Sequence, residues 1–422
     1  MSDSLSESLS EAMVQGRSSG GPQRGPLSLT DRRALAAVAV QFFLNGAVFA
    51  SFMPRLPEIR DRIGVSVGGL GTLLSIAGVV GIAGSALVGP AIRRVGTRPV
   101  VMIGGVVLGS SLPLIGVARG RAVFLAGLIL MMTFDVFVDV AMNMQGSWLS
   151  ARRHAPVMNR LHGLWSLGTV VGGMTASRIA EAGISVPTHL FVASGVMLLT
   201  LIGVGQRLLR VDEHPETPEI DAPRATTNTR GSRRRTISPL LVLFSLAGFF
   251  AVVIEMTSMN WATFRFTEDF RASVGFAGLG YVAMTAGMTA GRLAGDSLLA
   301  RIGPDRLFRI AMVSTGVGLV AATLPMARYV NVVGFVFVGL GASTMLPRLY
   351  DLAAKHPDRP GAGLAALTSG IRVATVASPF LVGRLANSHL SVGHAIAIVS
   401  LPALVGFFAV ARVIRGGSPA SD

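Results

Sequence analysis

FDVFVDVAMNMQGSWLSARRHAPVMNRLHGLWSLG, residues Phe134 to Gly168, sets two acids, an Asn, a Gln, a basic turn, a His and a Trp between two long apolar runs. Both acids therefore lie inside a helix long and apolar enough to cross a bilayer. A carboxylate at the centre of such a helix costs roughly 2.5–3.5 kcal/mol on insertion scales, so an acid held there marks a functional site. Asp135, Asp139 and Asn143 are spaced four apart. At about 100° per residue they fall within an arc of about 80°, on one face of one helix. That face is expected to line a polar cavity. Two carboxylates one turn apart also resist joint ionisation, which suits one of them to taking up and releasing a proton.

The composition places the whole chain in the membrane. Its 422 residues are 51% hydrophobic and 14% charged, against about 25% charged in a soluble domain. Twelve spans of about 20 residues take about 240 residues and leave short loops and two tails. The formal charge of +15 would suggest a nucleic-acid partner in a soluble protein. Here the arginines cluster in short turns between apolar runs, which the positive-inside bias explains, so no nucleic-acid role is expected. The chain has no cysteine, which excludes disulfides, thiolate metal sites and cysteine nucleophiles. Lys355 is the single lysine among 37 basic residues, a composition typical of a GC-rich bacterial genome.

Read in order, residues 1–32 form a Ser-, Gly- and acid-containing tail without the basic and apolar regions of a signal peptide, and are expected to be a disordered cytoplasmic segment. A first bundle over 33–209 holds spans at about Ala34–Met53, Gly69–Ile92, Pro99–Ala118, Ala122–Gln145, Val157–Ala180 and Thr188–Leu209. Span 1 carries Gln41 and Asn45 four apart, and Pro54 and Pro57 are expected to end it in an outer loop. Residues 210–238 form a polar linker with Arg233, Arg234 and Arg235, placed in the cytoplasm. A second bundle over 239–412 repeats the plan, with spans at about Leu240–Thr263, Gly275–Ala300, Leu307–Ala327, Val330–Leu349, Gly363–Leu385 and His394–Arg412, before a cytoplasmic tail at 413–422. The basic turns at Arg152, Arg153 and His154, at Arg301 and Arg306, and at Lys355 and Arg359 fall on the same side as the linker, so both termini are expected in the cytoplasm.

The halves resemble each other. Ser66-Val67-Gly68 corresponds to Ser273-Val274-Gly275, and Gly84 and Gly96 to Gly291 and Gly303, all at an offset of 207; Gly69-Leu70-Gly71 corresponds to Gly278-Leu279-Gly280 at 209. Two parallel six-helix repeats about a cytoplasmic linker resemble the major facilitator superfamily. The resemblance is topological over about 33–412 and local in motif. The turn Gly89-Pro90-Ala91-Ile92-Arg93-Arg94-Val95-Gly96-Thr97-Arg98 is similar to the family's loop between spans 2 and 3, with Arg93 where the family has an acid. Its counterpart begins Gly291-Arg292-Leu293-Ala294-Gly295-Asp296, and Arg292 and Asp296 are spaced to pair along a helix. The resemblance makes Arg94, Arg98, Arg292 and Asp296 gate candidates. Met53-Pro54-Arg55-Leu56-Pro57-Glu58-Ile59, Asp139-Val140-Ala141-Met142-Asn143 and Leu161-His162-Gly163-Leu164-Trp165-Ser166-Leu167-Gly168 resemble a bacterial branch near the fucose-permease-like sugar transporters, as does Glu255 followed by Asn260-Trp261.

Together these features lead to an all-α membrane protein of twelve helices in two pseudo-symmetric bundles, sited as a monomer in the bacterial inner membrane. The expected activity is proton-coupled secondary transport of a small polar, sugar-like solute. Asp135, Asp139 and Glu255 are the proton-coupling candidates. Gln41, Asn45, Asn143, His162, Trp165, Trp261 and Arg372, the last about ten residues into span 11, are the cavity candidates. The alternatives are a proton-coupled exporter of a drug or secondary metabolite, suggested by 18 Met and 21 Phe, and a membrane sensor that binds without moving its ligand. No phosphate-binding loop, metal-spaced His cluster or nucleophile arrangement is present in the sequence, so neither an enzyme nor a cofactor is expected.

Overall fold

The protein is described here by a computed structural model covering residues 28–153, 157–210, 238–354 and 361–416. All regular structure among these residues is helical. The first six spans are Leu29–Phe52, Val67–Val95, Thr97–Val117, Arg121–Arg153, Met158–Glu181 and Val186–Gly205. The second six are Pro239–Phe264, residues 274–302, residues 304–323, Arg328–Ala354, Ala362–Ala386 and Val392–Gly416. Among the described residues, ten helices are long and apolar enough to cross a membrane by length and composition alone. Span 5, with Arg160, Arg178 and Glu181, falls short, as does the stretch of span 8 around Arg292 and Asp296. These two helices pack on each other where the halves meet.

The repeat seen in the sequence is a repeat of conformation. Ser66 accepts the Gly69 amide at 3.1 Å to cap span 2, and Ser273 accepts the Phe276 amide at 3.3 Å to cap span 8. Gly96 and Gly303 turn the chain between spans 2 and 3 and between spans 8 and 9 at φ 84° and 76°, a region open to glycine. The helix pairs also correspond. Span 1 lies against span 5 with no room at Gly46, where a Cβ would sit 2.1 Å from the Trp165 carbonyl. Span 7 lies against span 11 in the same way, and a Cβ on Gly370 would sit 1.8 Å from the Ser245 carbonyl.

Three boundaries differ from expectation. The stretch after span 1 is helical, with a 3₁₀ turn at Met53–Arg55 and an α-helix at Leu56–Ile63. Pro54 and Pro57 occupy first-turn positions, where a missing N–H leaves no bond unmade, so they begin helices here instead of opening a loop. Span 4 runs on to Arg153 because buried Gln145 donates to Thr97 Oγ1 at 3.0 Å and accepts the Leu209 amide at 3.2 Å, which packs its inner end on spans 3 and 6. Span 1 starts at Leu29, where Ser28 caps it by accepting the Asp31 amide, so the tail is shorter than 1–32. The remainder of that tail, the linker over 211–237, His154, Lys355, Arg359 and the last six residues lie outside the described residues.

The halves meet most closely at the face away from the termini. Arg60 pairs with Glu268 at 2.7 Å, and Glu181 accepts from Ser273 Oγ at 2.9 Å and from the Gly275 amide at 3.0 Å. Spans 2 and 11 touch backbone to backbone at Gly71 and Pro379 and stay together through Ser75, which donates to the Val376 carbonyl at 2.7 Å. Beyond Gly78 and Val376, toward the termini, span 11 exposes Ala365, Ser369 and Arg372. A buried arginine anchors each half at the closed face. Arg55 bonds Glu58 and the Ile184 carbonyl, and Arg265, offset by 210, bonds Asp269 and the Leu324 carbonyl. Asp269 in turn accepts the amides of Val392 and Gly393, at 3.0 and 2.8 Å, to cap span 12.

Candidate functional site

The polar groups on the inner faces of spans 1, 4, 5, 7 and 8 join into one chain. Asp135 Oδ1 accepts from Asn45 Nδ2 at 2.8 Å. The same amide accepts from Trp165 Nε1 at 2.9 Å through its oxygen. Helical geometry explains the meeting: Gly46 and Gly168 let spans 1 and 5 approach until Asn45 reaches both the indole and the carboxylate on span 4. The Arg292 guanidinium stands 5.7 Å from the centre of the Trp165 ring, within cation–π range, and donates to Ser166 Oγ at 3.3 Å. Its other side faces Glu255 on span 7, with N to O at 3.7 Å. The series Asp135, Asn45, Trp165, Arg292, Glu255 thus runs from span 4 of the first half to span 7 of the second.

The acids differ in how they are satisfied. Asp135 has an amide donor. Asp139, one turn along, accepts from Asn143 Nδ2 at 3.0 Å, and that amide also donates to the Asp139 carbonyl at 2.8 Å. Neither of these half-buried acids has an ion-pair partner among the described residues, whereas Glu255 has Arg292.

The other candidate residues are placed as follows. Arg292 was placed at the gate by its motif, yet it sits in the central chain and turns to Glu255; the Asp296 side chain lies outside what the structure describes. Trp261 does not line open space. It is 1% exposed and packs on Phe264 with ring centres 5.1 Å apart. Gln41 is fully buried, and its amide has no partner among the described residues. His162 is exposed, edge-on to Phe42 at 5.3 Å. Arg94 and Arg98 lie at the turn between spans 2 and 3 and make no ion pair among the described residues. Arg372 is exposed on span 11. Sequence reasoning missed Ser166, which ties Arg292 to the first half, and Thr368, Ser369 and Thr375, which form a polar stripe with the expected Arg372. The signal for the stripe was its spacing of one, four and seven along span 11.

Two six-helix halves with a charged seam at mid-depth define a secondary transporter architecture. The chain belongs to the Major Facilitator Superfamily, whose model matches residues 38–379. It is 26% identical over 375 residues to an uncharacterised MFS-type transporter of Yersinia pestis, covering 88% of this chain and 94% of that one. It is 27% identical over 371 residues to the membrane protein MosC of Rhizobium meliloti, covering 86% of each. Among solved structures, the nucleoside transporter NupG superposes with a TM-score of 0.67 at 12% identity, over 93% of this chain and all of NupG (100%). A bacterial homolog of the human lysosomal transporter Spinster, in an inward-facing and occupied conformation, gives 0.67 at 11% identity over 94% and 100%. The protein is a multi-pass membrane transporter of small molecules and not an enzyme.

Proposed function

We propose that the protein is a proton-coupled transporter that moves a small polar, sugar-like solute by alternating access, with Asp135 as the proton-binding group. The observation that carries this is the chain of contacts from Asp135 to Glu255. Among the described residues Asp135 has no cation to balance its charge, so taking up a proton is the change available to it. Asn45 then feels that change directly and passes it to Trp165, which faces the Arg292–Glu255 pair of the other half. A proton bound in one half thereby alters the contact between halves, which is what coupling requires. Closure at the face away from the termini, and exposure of Arg372 and His162 toward the termini, fit a state open to the side that holds both ends, taken as the cytoplasm. The Spinster homolog's inward-facing form shares this fold.

The test is uptake into proteoliposomes. A panel of sugars and nucleosides is offered with and without an inward proton gradient. The gradient is expected to drive accumulation in the wild type and to drive none in Asp135→Asn, which still exchanges solute down its own gradient. Gradient-driven accumulation that survives Asp135→Asn overturns the assignment.

A further inference from the structure

We infer that the transported solute carries an acidic group and that Arg372 is the residue that binds it. This rests on the transport reading above and adds the substrate's charge to it. Span 11 meets span 2 along a face that runs through Gly383, Pro379 and Val376. Arg372 lies four residues before Val376, about 6 Å along the axis and on the same face. There the two helices have parted, and Arg372 is exposed between the halves together with Ser369. The hydroxyls beside it are satisfied within their own helix: Ser369 donates to the Ala365 carbonyl at 2.8 Å and Thr375 to the Ile371 carbonyl at 3.0 Å. The guanidinium is the one charge on this stripe.

An arginine inside a membrane protein faces water, an acid or a ligand. Of the described acids of the cavity, Glu255 pairs with Arg292, while Asp135 and Asp139 are held in the first half by the amides of Asn45 and Asn143. Arg372 has no ion pair or hydrogen bond among the described residues. While the cavity is open, water serves it. Alternating access closes the halves over this face and removes that water, and a guanidinium stripped of water needs a counter-charge. No described acid stands within ion-pair distance of Arg372 in this state, so we assign the counter-charge to the cargo. The planar fork of the guanidinium suits a carboxylate or phosphate, which it can hold by two parallel hydrogen bonds.

The experiment melts detergent-purified protein against matched probes that differ by the acid group: glucuronate and glucose, lactate and 1,2-propanediol, benzoate and benzyl alcohol. At least one acid is expected to raise Tm where its neutral counterpart does not. Arg372→Gln is expected to weaken that acid by about ten- to a hundredfold, the range of a lost charged hydrogen bond, with Arg372→Lys between the two. If Arg372→Gln fails to fold, protection of Arg372 from phenylglyoxal by the acid, read by peptide mass mapping, decides the same point. The inference is overturned if no acid stabilises beyond its neutral partner, if Arg372→Gln binds as the wild type does, or if no protection is seen. A neutral probe that binds, with a pH dependence lost in Asp135→Asn, would leave the transport reading intact and remove only the acid group. An acid that binds through Arg372 but does not cross proteoliposomes would do the reverse.

Discussion

The two halves share a backbone plan and differ in how they hold charge. The first half presents Asp135 and Asp139, each satisfied by an amide and neither facing a cation. The second presents Glu255 paired with Arg292 at 3.7 Å, and Arg372 with no partner among the described residues. An amide stays neutral and can serve a carboxyl group in either protonation state, by donating to the ion or accepting from the acid. A guanidinium favours the ion alone. Under the proposed coupling, the first half is the one suited to changing charge and the second to keeping it.

Substitutions at matched positions can break or sharpen this contrast. The largest effect is expected where the shared scaffold is tightest. Gly46→Leu and Gly370→Leu each force a side chain against backbone, and each should lower thermal stability by about 1–3 kcal/mol or more. Similar losses by scanning calorimetry would confirm that spans 1 and 5 and spans 7 and 11 are one packing device used twice; a loss at one site alone would break the equivalence. Next, Asn45→Ala leaves both Asp135 and the Trp165 indole without their partner, at a cost of about 1–3 kcal/mol. It should also shift the pH dependence of ligand-stabilised melting, while Glu255→Gln should not; the opposite result would transfer the titrating role to the second half. The smallest effect is expected at the seam. Arg60→Ala removes a pair whose side chains are 11% and 31% exposed and should cost about 0.2–1 kcal/mol, less at high salt.

The sequence carried the twelve-helix plan because apolar length and basic turns are local signals. It also carried the repeat, since Ser66 and Ser273, or Gly96 and Gly303, do the same local job at the same offset. Asn45, Asp135 and Trp165 were visible one at a time as polar residues at membrane depth. Their contact was not visible, because it depends on how closely Gly46 and Gly168 let two helices approach. Arg292 could be read only against Asp296 on its own helix, because its reach to Glu255 on span 7 depends on tertiary packing. Trp261 was a cavity candidate, and only packing shows it enclosed beside Phe264. Arg55 and Arg265 read as ordinary loop charges, although each is buried and holds neighbouring loops together.

The seam between spans 2 and 11 bears on leakage. A continuous file of water through a transporter would let ions leak across the membrane. Where Gly71 meets Pro379, a single added carbon would come within 2.3 Å of a carbonyl oxygen. A plug of side chains can swing aside by rotamer change, whereas main chain lying on main chain has no such freedom. The gap is too narrow for a water molecule, and neither residue has a titratable side chain to relay a proton across it. The insulation on this side of the transporter is made of glycine and proline.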